Sequence, residues 1–160
     1  MVYKEETRDL FSVPNSYYLA HCISADFALG AGITTEFDKR FDMRKKLTEY
    51  AFSCLGQSNF EQIYIHTRQA KCIYDLQNGC VLIDRVFNLI TKKRFYHKPT
   101  YESINHALNM MRLICEDNNI NKIAMPLIGC GLDNLRWSEV SKIVKDVFQD
   151  TDVEILVCRQ

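Results

Sequence analysis

Met125-Pro126-Leu127-Ile128-Gly129-Cys130-Gly131-Leu132-Asp133-Asn134-Leu135 is the stretch whose reading decides the fold. The apolar run Ile123-Ala124-Met125 meets Pro126, the loop glycines Gly129 and Gly131 follow, and a helical pattern begins near Trp137. Strand, glycine loop and helix in that order bring backbone N–H groups close to a bound phosphate. Asp133, at the end of the loop, adds a carboxyl group that can carry a proton.

Outward from this stretch the elements alternate in type. Upstream, Tyr17–Ile23 reads as a buried strand that ends at the polar turn Ser24-Ala25-Asp26. A second glycine loop follows, Leu29-Gly30-Ala31-Gly32-Ile33. Residues 34–55 read as one helix with Phe37, Phe41, Leu47, Tyr50, Ala51 and Cys54 along a partial stripe. The segment 56–90 reads as strands at 63–66, 72–74, 81–83 and 86–90, with Asn78-Gly79 as a turn. Thr100 is expected to cap a helix that has Glu102 in its first turn and ends at Asn118-Asn119. Its apolar face is Tyr101, Ile104, Leu108, Met111 and Cys115. Downstream, Val140, Ile143, Val144, Val147 and Phe148 form the inner face of a last helix, and Val153–Val157 a last strand. Such alternation predicts an α/β sandwich with a largely parallel sheet. Ligands in such sheets sit at the carboxyl ends of strands, where both glycine loops fall.

The chain has 160 residues, enough for one domain with a sizeable core. Lys plus Arg and Asp plus Glu each number 20, so the formal net charge is zero. A duplex-binding domain carries a basic excess, so general nucleic-acid binding is disfavoured. The seven cysteines are scattered, with no Cys-x-x-Cys pair and no zinc-ligand spacing. Reduced thiols and an intracellular setting, cytoplasm or nucleus, are expected from that usage. The charged start MVYKEETRDLF does not read as a signal peptide, and no apolar run approaches the ~20 residues of a membrane span.

Several residues carry a chemical reading beside a plainer one. Gly30-Ala31-Gly32 and Gly129-Cys130-Gly131 share the pattern Gly-small-Gly. Alone, each is a tight turn; on adjacent strand ends, the two can grip a diphosphate from both sides. They lack the full Gly-x-Gly-x-x-Gly fingerprint and a Walker lysine, which argues against a standard dinucleotide site or P-loop. Lys92 follows the apolar run 86–90, with Lys93 and Arg94 beside it. Adjacent positive charge disfavours an ammonium, and a neutral amine can attack a carbonyl carbon; the plainer reading is a solvated basic turn. Asp133 is either a helix-capping acid or a general acid/base. Asp9 is either a surface acid or a hydrogen-bond acceptor for a ligand amine. His21 and His97 read as structural, and Cys130 as packed, since no thiolate-stabilising partner is visible.

Together these pieces resemble a known family. Asp9-Leu10-Phe11, Leu19–Ser24, Gly30–Ile33, Leu89–Arg94, His97–Glu102 and Met125–Asp133 keep the order found in macrodomains. Thr91-Lys92-Lys93-Arg94 and His97-Lys98-Pro99-Thr100-Tyr101 are similar in particular to the terminal ADP-ribose protein glycohydrolase branch. The resemblance implies a single three-layer α/β/α domain, with a longer segment at about 45–85 than the family has. It implies Asp9 and Leu10 at the adenine. It implies Ile23, Ser24, Gly30, Ala31, Gly32 and Ile33 along the diphosphate and distal ribose, with Thr91 nearby. Leu127, Ile128, Gly129, Cys130, Gly131 and Leu132 would hold the other side of the phosphates. Lys92 matches the family's nucleophile and Asp133 its acid/base. The implied activity removes ADP-ribose from acidic residues of mono-ADP-ribosylated proteins through a lysine adduct, and also deacetylates O-acetyl-ADP-ribose. No metal or other cofactor is implied, and no membrane or sequence-specific nucleic acid; a monomer is expected. A binding-only ADP-ribose reader and an ADP-ribose 1″-phosphate phosphatase are the alternative activities. One departure stands out: Arg8 occupies the position where the family usually has glycine.

Overall fold

A computed structural model describes residues 1–55 and 79–160. The strands expected at 63–66 and 72–74, Asn78 of the expected turn, and the side chain of Cys54 lie outside the described residues. Strands β1 (Val2–Thr7), β2 (Tyr18–Ser24), β3 (Cys80–Ile83), β4 (Val86–Lys92), β5 (Lys122–Met125) and β6 (Glu154–Arg159) form one sheet. Helices are α1 (Thr34–Phe41), α2 (Met43–Leu55), α3 (Tyr101–Asn118) and α4 (Trp137–Phe148). The strand order is β1-β6-β5-β2-β4-β3, parallel throughout except for β3 against β4.

Alternation along the strands sorts the core into two layers. On one face Phe87, Leu89, Ile123, Met125, Ile155 and Val157 pack against α3 and α4 through Ile104, Leu108, Met111, Val140, Val144 and Phe148. On the other, Ile23, Ile90, Ala124 and Leu156 meet Phe37 of α1 and Met43 and Leu47 of α2. This is the expected three-layer α/β/α sandwich with a mixed, largely parallel sheet. Among the described residues no helix is long and apolar enough to cross a membrane.

Four details differ from the sequence expectation or go beyond it. The single helix over 34–55 is two, broken at Asp42 with φ 53°. The Asp42 N–H closes α1 on Asp38 O at 2.8 Å, and Asp38 Oδ1 accepts from Arg44 N at 2.9 Å to start α2. The hairpin between β3 and β4 is closed by Asp84-Arg85, with φ 49° and 66°, the mirror-image turn that suits twisted strands. An ion pair from Asp84 to Lys46 and a 2.7 Å bond from Arg85 to Asn15 O hold it. Tyr101 is partly exposed instead of packed, and its hydroxyl accepts from Arg136 N at 3.1 Å. Finally, β1 was not anticipated, because an exposed edge strand of Val-Tyr-Lys-Glu-Glu-Thr carries no apolar alternation.

Candidate active site

The carboxyl ends of β2, β4, β5 and β6 open into a cleft of about 890 Å³. That volume lies in the range of small-molecule sites. The two glycine loops form opposite walls, and within each the glycines have separate tasks. Gly32 (φ 66°) and Gly129 (φ 72°) make the turns, in a backbone region that disfavours side chains. A Cβ on Gly129 would also meet Leu135 Cδ1 at 3.1 Å and Ile104 Cδ1 at 3.3 Å. Gly131 has nothing within 4 Å of its missing Cβ, and Gly30 only Ala28 O at 3.8 Å, so these two leave room for close approach by a ligand. Gly32 leads directly into α1, whose positive dipole end favours an anion, although Thr35 N and Glu36 N already donate to Gly32 O and Ile33 O at 3.2 and 3.0 Å.

The first loop is strained and braced. Phe27 and Leu29 adopt φ 55° and 44°, which costs roughly 1–2 kcal/mol each for residues with a Cβ. Burial of both side chains offsets that cost. Asp26 is the brace: Oδ1 accepts from Ser24 Oγ at 2.5 Å and Ala28 N at 3.2 Å, while Oδ2 accepts from Phe95 N at 3.0 Å. One carboxylate therefore ties the loop after β2 to the loop after β4.

Between the walls, Lys92 Nζ donates to Asp133 Oδ1 at 2.8 Å, with only 15% and 17% of the two side chains exposed. Lys92 ends β4 and Asp133 follows β5, on opposite sides of β2. A β-bulge aims the lysine: Ile23 pairs with Ile90 but Ser24 pairs with Lys92, leaving Thr91 as the extra, buried residue. Bulges of this kind redirect side chains beside functional sites. The sequence pointed to Lys93 and Arg94 as the charges around Lys92, whereas its direct partner is a carboxylate. Asp133 is likewise not a helix cap, since α4 starts at Trp137 with Arg136 at its N-cap.

Cys22 lies beneath this pair beside Thr91, and burial together with the Asp133 charge pushes its thiol up to about 12. Cys130 donates to Ile128 O at 3.3 Å, and burial pushes it up to about 11. Both stay protonated near neutral pH and are poor nucleophiles. His21 faces away from the cleft, stacked on Phe37 at 3.9 Å, with Nε2 against Asn88 Oδ1 at 2.6 Å. Burial lowers it to about 4, so it is neutral and structural. Among the described residues no group of three His, Cys, Asp or Glu is placed to hold a metal ion.

Ser24, Ile23, Gly30 to Ile33 and Leu127 to Asp133 all line the cleft. Thr91 is buried behind it. Asp9 and Leu10 do not line it. Asp9 Oδ1 accepts from Phe11 N at 3.0 Å, capping a 3-10 turn, and Leu10 is fully buried. Arg8 folds over that turn, donating to Ser12 O at 2.9 Å, and stays clear of the cleft. The sequence reading missed Thr7, Arg159 and Gln160 at one end, and Phe95 and Lys98 at the other. The first three meet only because β1 and β6 pair, and nothing local signals that. Phe95 sits beside the basic cluster, and an exposed aromatic next to cations was a usable signal.

The macro domain family model matches residues 23–144. The ADP-ribose glycohydrolase OARD1 of Homo sapiens is 38% identical over 149 residues, covering 93% of this chain and 86% of that protein. The macrodomain of Thermus aquaticus DarG superposes with a TM-score of 0.73 at 19% identity, covering 99% of both chains. Thermosipho africanus DarTG in complex with ADP-ribose gives 0.65 at 13% identity, over 100% of this chain and 42% of that one. Sequence motifs, sheet order and cleft thus converge on one assignment: the chain belongs to the macro domain family, as a homologue of proteins named ADP-ribose glycohydrolases.

Proposed function

We propose that the cleft binds ADP-ribose and releases it from acidic side chains of mono-ADP-ribosylated proteins. The observation that carries this reading is the half-buried 2.8 Å contact between Lys92 Nζ and Asp133 Oδ1, set between two glycine loops. A cleft built only to hold a diphosphate has no use for a shielded amine paired with a carboxylate.

In the proposed mechanism the diphosphate lies between Gly30–Ile33 and Ile128–Leu132, which places the distal ribose over the pair. Proton transfer along the existing hydrogen bond converts ammonium and carboxylate into a neutral amine and a neutral acid. The amine bonds to C1″ of the ribose as the C1″–oxygen bond breaks and the acidic side chain departs as carboxylate. Ring opening puts the adduct in its imine form. Water adds at the same carbon and the amine is expelled, with Asp133 moving the protons. Deacetylation of O-acetyl-ADP-ribose is a further proposed activity of the site.

Borohydride trapping tests the proposal. Incubation with a glutamate-linked mono-ADP-ribosylated protein is expected to release ADP-ribose and, with reductant, to leave a mass adduct on Lys92. ADP-ribose binding without release or adduct would leave the binding-only reader as the correct reading. Phosphate release from ADP-ribose 1″-phosphate that survives Lys92→Ala would instead indicate the phosphatase.

A further inference from the structure

At the Lys92–Asp133 end of the cleft stands an apolar and basic lip that the proposed chemistry does not use. Phe95, Tyr96 and Leu132 are 64%, 66% and 65% exposed, among the most exposed large hydrophobic residues described. The Phe95 and Tyr96 rings pack edge-on with centroids 5.3 Å apart, and Tyr96 meets His97 in the same way at 4.7 Å. The lip is anchored. Phe95 N donates to Asp26 Oδ2 at 3.0 Å, His97 N to Arg94 O at 3.0 Å, and Lys98 Nζ to Leu132 O at 2.7 Å. Exposed rings held on a braced turn are a poor way to fill a core and a good way to present contact area. Lys93 is exposed on the same turn.

Position gives the lip an occupant. This step rests on the reading that C1″ of the distal ribose sits at Lys92 Nζ. Whatever is bonded to C1″ must then leave the cleft past Phe95, Lys98 and Leu132, all of which line it. The lip is thus continuous with the ADP-ribose cleft on the side of the leaving group. Its charge is positive, from Lys93, Arg94 and Lys98. A lip of so few cations, on a chain with zero formal net charge, gives no basic track for a phosphodiester backbone. It does suit a short polypeptide segment with carboxylates beside the modified residue.

We propose that Lys93, Phe95 and Tyr96 form a docking point for an acid-rich polypeptide segment flanking the modified residue. The rings bury apolar stems of the segment, and Lys93 pairs with a neighbouring carboxylate. ADP-ribose alone does not reach Lys93 or Tyr96. These residues therefore add affinity for the modified peptide and none for the free ligand.

Equilibrium binding tests this with no dependence on turnover. The probes are free ADP-ribose and ADP-ribose joined through a non-hydrolysable linkage to an acidic peptide, to its neutral counterpart, or to a short oligonucleotide. The acidic conjugate is expected to bind about five- to tenfold more tightly than free ADP-ribose. In Lys93→Glu/Tyr96→Ala that advantage disappears while affinity for free ADP-ribose is unchanged, which also shows the variant is folded. Equal affinity for acidic and neutral conjugates, tightest binding of the oligonucleotide, or an undiminished advantage in the variant overturns the inference and leaves the cleft reading intact. Absence of binding to free ADP-ribose overturns both.

Discussion

Among the described residues, Lys92 Nζ and Asp133 Oδ1 are hydrogen-bonded to each other. Removing either is expected to stop turnover for different reasons. Lys92→Ala removes the attacking nitrogen, so release and the borohydride adduct vanish together. Asp133→Asn keeps the amine but not the proton carrier, and release should fall about 10²- to 10⁴-fold in a single-turnover assay. Asp133 was legible as an acid at a loop end, and Lys92 as a lysine at a strand end. Their pairing was legible only through the family resemblance, because it depends on strand order and a bulge, neither of which leaves a mark within a few residues of either. His21 supports a prediction about pH. Its pKa falls from 6.5 to about 4 on folding, so the unfolded chain binds more protons between those values. Stability from this group is therefore full above about pH 6.5 and declines as pH drops toward 4, by at most about 3 kcal/mol. Denaturant melts of wild type and His21→Phe across that range should converge as the pH falls.

Among the elements, the long helix was the most legible. Thr100 accepts from Ser103 N at 3.0 Å and Ser103 Oγ accepts from Thr100 N at 2.9 Å, a reciprocal cap that the Pro-Thr start foreshadowed. The break at Asp42 was less legible, since a left-handed aspartate can read as an ordinary helical residue. The two strands of the hairpin were legible and its turn was not, because Asp-Arg is a weak turn signal. Arg85 takes the left-handed conformation with tertiary help from Asn15 and the Tyr18 ring, over which its guanidinium lies at 4.0 Å. In the loop after β5, Gly129→Ala must place a methyl against Leu135 and Ile104 at φ 72°. A loss of about 1–2 kcal/mol in stability is expected, with weaker ADP-ribose binding by calorimetry. Gly131→Ala, at a position with no steric neighbour, should leave stability nearly unchanged and weaken only binding.

For the molecule as a whole, the layering followed from alternating patterns, and the polar edge strand β1 did not. The cleft draws on β2, β4, β5 and β6, so a ligand that fills it joins segments far apart in sequence. ADP-ribose at about a hundred times its dissociation constant should stabilise the fold by about 2.7 kcal/mol. A thermal-shift titration with ADP-ribose checks this, and a flat titration would mean that the cleft does not hold that ligand.

A strand shows alternate residues to alternate faces, but Ser24 pairs with Lys92 across the extra residue at Thr91, so the bulge absorbs the odd count and the amine keeps the face that Ser24 shows. The sheet upstream of Ile90 does not depend on that count, since its partners in β2 are already in register. Deleting Thr91 alone should therefore yield a folded chain whose lysine still stands opposite Ser24 but no longer meets Asp133, so that ADP-ribose binding by calorimetry persists while release falls. The bulge thus sets the reach of the amine and not its face, and one lost codon would separate the amine from its carboxylate while every residue needed to grip a diphosphate remains.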